Sequence, residues 1–138
     1  MAYCTSSDIQ DLIGEDNLSA WSQLDPDVVT ADDTRITRAI TWADAFIDAR
    51  LRGGRYALPI TSNAGGVETL VMDCSRRLAA HWLYSSRGTV DNDDQGDRMT
   101  EHKDEADDLL DRIVSGQMLL DAPFASNSRS PRAPDVVL

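Results

Sequence analysis

Apolar positions in the middle of the chain recur every three or four residues. Ile36, Ile40, Ala43, Ile47 and Leu51 form the clearest run, widened by Ala39 and Phe46. That spacing is the period of a helix with one buried face. Thr30 stands where an N-cap belongs, Asp32 and Asp33 fall in the first turn, and Gly53 and Gly54 supply the stop. A second run predicts a helix over about 66–86, with Val67, Leu70, Val71, Cys74, Leu78 and Trp82 as its stripe and Ala79 and Leu83 beside it. A third predicts one over about 97–115, carried by Met99, Ala106, Leu109, Leu110 and Ile113 and capped by Gly116.

Two shorter helices precede these. "TSSDIQDLIG" has Ile9, Leu12 and Ile13 on one side, Ser6 or Ser7 as cap, and Gly14 as stop. "EDNLSAWSQL" places Leu18, Trp21 and Leu24 together, and "DPDVV" after it is a turn or linker. "QMLLD" should pack back on the bundle. Only the closing "DVVL" approaches the alternation of a strand. The pattern predicts an all-α protein, a small helical bundle of about four to five helices. Residues 1–121 form the domain, and 122–138, rich in Pro, Ser and Arg, form a flexible tail.

The loop after the longest stripe, "LRGGRYALPI", is unusually apolar. Two glycines free the chain to turn, and Pro59 holds Leu58 extended. Tyr56 and Leu58 then point the same way and can plug the gap between the helices before and after. The long crossover is thus expected to be buried, with the Tyr56 hydroxyl on Arg55 or a carboxylate.

Composition narrows the function. The chain of 138 residues carries a formal net charge of −11, so it is not built to grip nucleic acid through phosphates. Acidity suits a surface that DNA must pass without sticking, and equally suits plain solubility. No apolar run reaches the roughly 20 residues of a membrane span. The opening "MAYCTSSDIQ" has no signal-peptide pattern. Cys4 and Cys74 make no metal or redox motif, and Cys74 sits on an apolar stripe; both fit a reducing cytoplasm.

Candidate chemistry is thin. In "DNDDQGDRMTEH", Asp91, Asp93, Gln95 and Gly96 follow a calcium loop, but His102 occupies the position of the bidentate Glu. Cys74 and His81 share a helical face but lie two turns, about 10 Å, apart, too far for a thiol–imidazole pair. No phosphate loop, zinc spacing or metalloprotease motif is present. The expectation is a protein without catalytic activity, cofactor or metal. Arg50, Arg52 and Arg55 make one basic knot, and Arg76 with Arg77 another. They read either as partners for the chain's own surplus of acids or as an interface saved for acidic neighbours.

The stretches "MAYCTSSDIQDLIG", "ITRAITWADAFIDARLRGGRYALPI", "LVMDCSRRLAAHWLYSSRG" and "LLDRIVSGQMLL" resemble the Mu-like tailed-phage virion proteins, similar in turn to head–tail connector (adaptor) proteins. The likeness spans about 1–120. It departs in "TSNAGG", where the family commonly has a Pro-rich link, and in the residues after 121. The resemblance implies a neck protein forming a ring under the portal, twelvefold in step with it. Such a ring extends the DNA channel, which DNA crosses without specific binding, and docks a tail or tail-completion protein. It implies residence at the virion head–tail junction after assembly in the host cytoplasm. The interface residues it suggests are Arg50, Arg52, Arg55, Tyr56, Leu58, Arg76, Arg77 and Arg87, with Arg129, Arg132, Val136 and Val137 in the tail. The alternative is a small helical regulatory or interaction domain that binds host or phage proteins.

Overall fold

The computed structural model describes residues 2–23, 31–87 and 95–125. Among them are five helices: α1 (Ser6–Ile13), α2 (Glu15–Ser22), α3 (Asp33–Leu51), α4 (Thr69–Ser86) and α5 (Gln95–Ser115). No strand forms among the described residues beyond one isolated antiparallel bridge, Tyr56 with Phe124. The architecture is the expected all-α bundle.

Helix α4 is the hub and packs against all four others. Its buried residues are Val71, Cys74, Ser75, Leu78, Ala79, Ala80 and Leu83. Four of these are small, so neighbours approach closely from more than one side. Helix α3 buries Ile36, Ala39, Ala43, Ile47 and Leu51, and α5 buries Met99, Ala106, Leu110 and Ile113. Burying each branched or long side chain contributes about 1.5–3 kcal/mol. The helical stripes read from the sequence thus supply most of the core, with Ile40, Phe46, Val67, Leu70, Trp82 and Leu109 partly buried against it.

The helix starts differ from expectation in instructive ways. Helix α1 is capped by Thr5, not Ser6 or Ser7. Thr5 is extended (φ −120°, ψ 170°) and forms a reciprocal capping box with Asp8, N–H to Oδ2 at 2.8 Å and back to Oγ1 at 3.2 Å. Asp32 caps α3, its Oδ1 accepting from the amides of Thr34 (2.9 Å) and Arg35 (3.3 Å). Thr30, Leu24 and "DPDVV" lie outside the described residues. Helix α4 starts three residues later than expected, because Gly65 and Gly66 take positive φ (96° and 80°) and Glu68 supplies the cap. Gly14 ends α1, as expected, and also stands at the N-cap of α2, and Gly116 closes α5 with φ 86°.

The residues expected to begin the tail are part of the fold. Ala122 is buried. Pro123 and Ala125 pair with the crossover: the Ala57 amide donates to Pro123 O at 3.0 Å and the Ala125 amide to Arg55 O at 2.9 Å. The packed chain thus reaches at least Ala125. A short stretch that pairs only with a distant loop has no periodicity of its own, which is why composition alone read it as tail.

Candidate interaction surface

The crossover between α3 and α4 is held from both sides by tyrosine hydroxyls. Tyr56 is buried, as expected, but its hydroxyl accepts the Leu120 amide proton at 2.7 Å rather than meeting Arg55 or a carboxylate. The segment after α5 comes close enough to offer a free backbone donor, and a buried amide must be paired. At the other end of the loop, Tyr3 accepts the Ile60 amide proton at 2.9 Å and donates to Asp48. Burial, then the bond to Asp48, raises the Tyr3 phenol well above its ordinary range. The Leu58–Pro59 peptide is cis, and Leu58 is half-buried against the core.

Asp44 anchors the same N-terminal strap. It accepts the Tyr3 amide at 3.0 Å and the Ser75 hydroxyl at 2.7 Å. Ser75 Oγ also lies 3.2 Å from Cys4 Sγ. Burial raises the Asp44 carboxyl, against the lowering effect of these two hydrogen bonds. Burial likewise pushes the Cys4 and Cys74 thiols up to about 12. Both thiols are free and buried, so neither is poised as a nucleophile. His81 is half-buried near Ser85 Oγ at 3.4 Å, with its pKa lowered by burial.

The arginines divide into two groups. Arg50 bridges to Asp107 at 3.5 Å and to Asp111, tying α3 to α5. Arg76 and Arg77 both bind Asp73 at 2.8 Å, and Arg77 also reaches Glu105 at 2.7 Å. Burial would raise Asp73, but its hydrogen bonds to Arg77 and Arg76 win and lower it. Arg77 also meets Nδ1 of His102, which must accept because a guanidinium only donates. Burial and then the Arg77 charge lower the His102 pKa. Arg50, Arg76 and Arg77 are thus each engaged with acids of the same chain. Arg87 donates to the Tyr84 carbonyl at 2.5 Å and stacks 3.5 Å from that ring's centroid.

Arg52 and Arg55 behave differently: neither forms an ion pair among the described residues. Arg55 packs its guanidinium against Gly116, where an added Cβ would stand 2.9 Å from Nη2. These two arginines wall a cleft of about 180 Å³ floored by Leu51, Tyr56 and Ile113, with Val114 at its rim. Val114, Leu119 and Phe124 are exposed near this end of the bundle. The structure thus brings Arg50, Arg52, Arg55 and Tyr56 to one end, beside the C-terminus of α5. Arg129, Arg132, Val136 and Val137 lie outside the described residues, as do Asp91 and Asp93. Among the described residues no group of three or more His, Cys, Asp or Glu could hold a metal. No helix there is long and apolar enough to cross a membrane.

Sequence reasoning passed over Trp42. It is 38% exposed on α3 and stacks on Phe46 with ring centroids 5.4 Å apart. The signal was present: Trp42 falls off the Ile36–Ile40–Ala43–Ile47 stripe. Tyr3 had no comparable signal, since it lies outside any helix and works through residues more than forty positions away.

Fold and surface together define a small all-α protein with a clamped crossover and a cationic, partly apolar end. The family model described as bacteriophage Mu, Gp36 matches residues 3–137. The chain belongs to that family and is a Mu-like phage protein. The match includes the residues after 121, which the sequence resemblance had left out. No curated protein matches the chain.

Proposed function

We propose that this protein is a structural virion protein, a head–tail connector (adaptor or neck) that forms a ring under the portal. The ring extends the DNA channel and docks the tail. Its partners are copies of itself, the portal protein and a tail or tail-completion protein, and the ring is twelvefold to follow the portal. DNA passes through without specific binding. The protein assembles in the host cytoplasm, resides at the head–tail junction, and has no catalytic activity.

The observation that carries this reading is membership of a phage family over residues 3–137. The surface supports it. Both thiols are buried and strongly held in their protonated form, whereas Arg52 and several apolar side chains are exposed at one end, beside the half-buried Arg55. That combination suits contact better than chemistry. A net charge of −11 is compatible with a channel wall along which DNA slides.

The test is genetic. Deleting the gene from its phage or prophage and imaging the induced lysate should yield filled or leaking heads beside free, complete tails. Normal virions would contradict the connector reading and favour a regulatory domain.

A further inference from the structure

Two helix faces of this molecule are complementary to each other and are not paired with each other. Every exposed residue of α3 after Asp33 is non-acidic: Thr34, Thr37, Arg38, Thr41, Trp42, Ala45 and Ala49, followed by Arg52. Such a face is unexpected in a chain with 24 acidic residues. Asp44 and Asp48 do not interrupt it, because they are turned to Tyr3 and Ser75. Arg38 and Arg52 form no ion pair among the described residues. Between them stands Trp42, whose exposed ring on a half-buried Phe46 is the kind of side chain that anchors interfaces.

The outer face of α5 is the reverse but for two exposed cations, Arg98 and Arg112. Asp97, Glu101, Asp104, Asp108 and Asp111 are all exposed and follow one another at intervals of four, three, four and three, which puts them on one stripe. Asp108 and Asp111 each hold one cation of the same chain. Asp97, Glu101 and Asp104 form no ion pair among the described residues.

The spacings match. Arg38 to Arg52 and Asp97 to Asp111 each span fourteen residues, about 21 Å of helix. The heights match as well. Arg50 pairs with Asp107 and Asp111 inside the chain, which sets the C-terminal turns of α3 and α5 side by side. A rotation about an axis along the helices preserves height. It would bring Arg52 level with a neighbour's Asp111, Trp42 with its Glu101, and Arg38 with its Asp97.

We infer that the exposed face of α3 docks on the acidic outer face of α5 in a second copy of this chain. The contact is head-to-tail: each subunit uses a different face toward each neighbour, so repetition closes a ring or extends a filament. Its biological setting rests on the connector reading, but the contact is tested apart from it.

The full-length chain is followed by sedimentation over a concentration series up to about 1 mM. It is run at an ionic strength of about 0.01 M, where charges act over roughly 30 Å, and at about 1 M, where that range falls to about 3 Å. Two charge reversals are compared, R38E/R52E on α3 and D97R/E101R/D104R on α5. All five sites are exposed and form no ion pair among the described residues, and melting curves check that each variant folds. The wild type should associate at low salt and dissociate at high salt. Each variant alone should associate at least about tenfold more weakly, since it sets like charges face to face. An equimolar mixture of the two should regain association in large part, because the α3–α5 contacts of an alternating assembly are again between opposite charges at the levels of Arg38 and Trp42, and only the Arg52–Asp111 level of every second contact stays like-charged. W42A should weaken association with both charge patterns intact.

A wild type that stays monomeric throughout overturns the inference. So does either reversal alone associating like the wild type, or a mixture that does not recover. Normal virions from a phage lacking the gene would instead overturn the connector reading and leave this contact standing.

Discussion

The crossover clamp and the outer faces of α3 and α5 use polar groups in opposite ways. In the clamp, Tyr3, Tyr56, Asp44 and Ser75 are tied to partners far away in sequence. On the outer faces, Arg38, Arg52, Asp97, Glu101 and Asp104 have no ion partner among the described residues. Burial explains the difference: a polar group removed from water must find a partner inside the chain, while an exposed one is free for a partner outside it. Stability should therefore respond to the clamp, and association to the faces.

The largest effect is expected at Tyr3. Tyr3→Phe leaves the buried Ile60 amide without its acceptor and Asp48 without its donor, at a cost of about 2–3 kcal/mol in urea unfolding. Tyr56→Phe strands only the Leu120 amide and should cost about 1–2 kcal/mol. If both variants unfold like the wild type, the clamp does not hold the crossover.

Gly116→Ala comes next. It forces a side chain into φ 86° and onto the Arg55 guanidinium, which is flexible and can yield. A loss of about 1 kcal/mol is expected, with Arg55 displaced from the cleft wall.

The same contrast has a pH form. Asp44 and Asp73 are both half-buried, but Asp44 meets only neutral donors whereas Asp73 meets two guanidinium groups. Burial raises Asp44, so the folded state binds its proton more tightly than the unfolded state does. Asp44 therefore adds stability below the ordinary value of 3.8, and that contribution is lost as pH rises from there through its raised folded value. Against burial, the arginines lower Asp73, so its contribution is present above 3.8 and is lost as pH falls through its lowered folded value. The two windows lie on opposite sides of 3.8. Relative to the wild type, Asp44→Asn should lose less stability as pH rises just above that point, and Asp73→Asn should lose less as pH falls below it.

The smallest effect on stability is expected from R38E/R52E. Exposed sites without partners should change the unfolding free energy by no more than about 0.5 kcal/mol, even as self-association is lost. A large destabilisation would place these arginines in the fold and not on a contact face.

The helices were legible because burial imposes a period. Ile36, Ala43 and Ile47 on α3 and Cys74 and Leu78 on α4 are completely or almost completely buried where the spacing put them. The caps were legible only to within a few residues: Thr5 and Asp32 win through backbone angles that residue type alone does not specify. The clamp was half legible. Tyr56 stood out as an aromatic in a loop, but its partner is a backbone amide, and any residue type can offer one. Tyr3 with Asp44 and Asp48 leaves no local mark, because the contact joins residues more than forty positions apart. The arginine knots were visible as clusters, yet only the fold separates Arg50, Arg76 and Arg77, which are satisfied at home, from Arg52 and Arg55.

The central claim, that these helical copies stand at the head–tail junction, is met most directly by electron cryomicroscopy of the neck of the parent phage. The account predicts a ring of five-helix bundles against the lower face of the portal, each traceable with this chain. A neck at resolved side-chain detail with no density that this chain fits would contradict it.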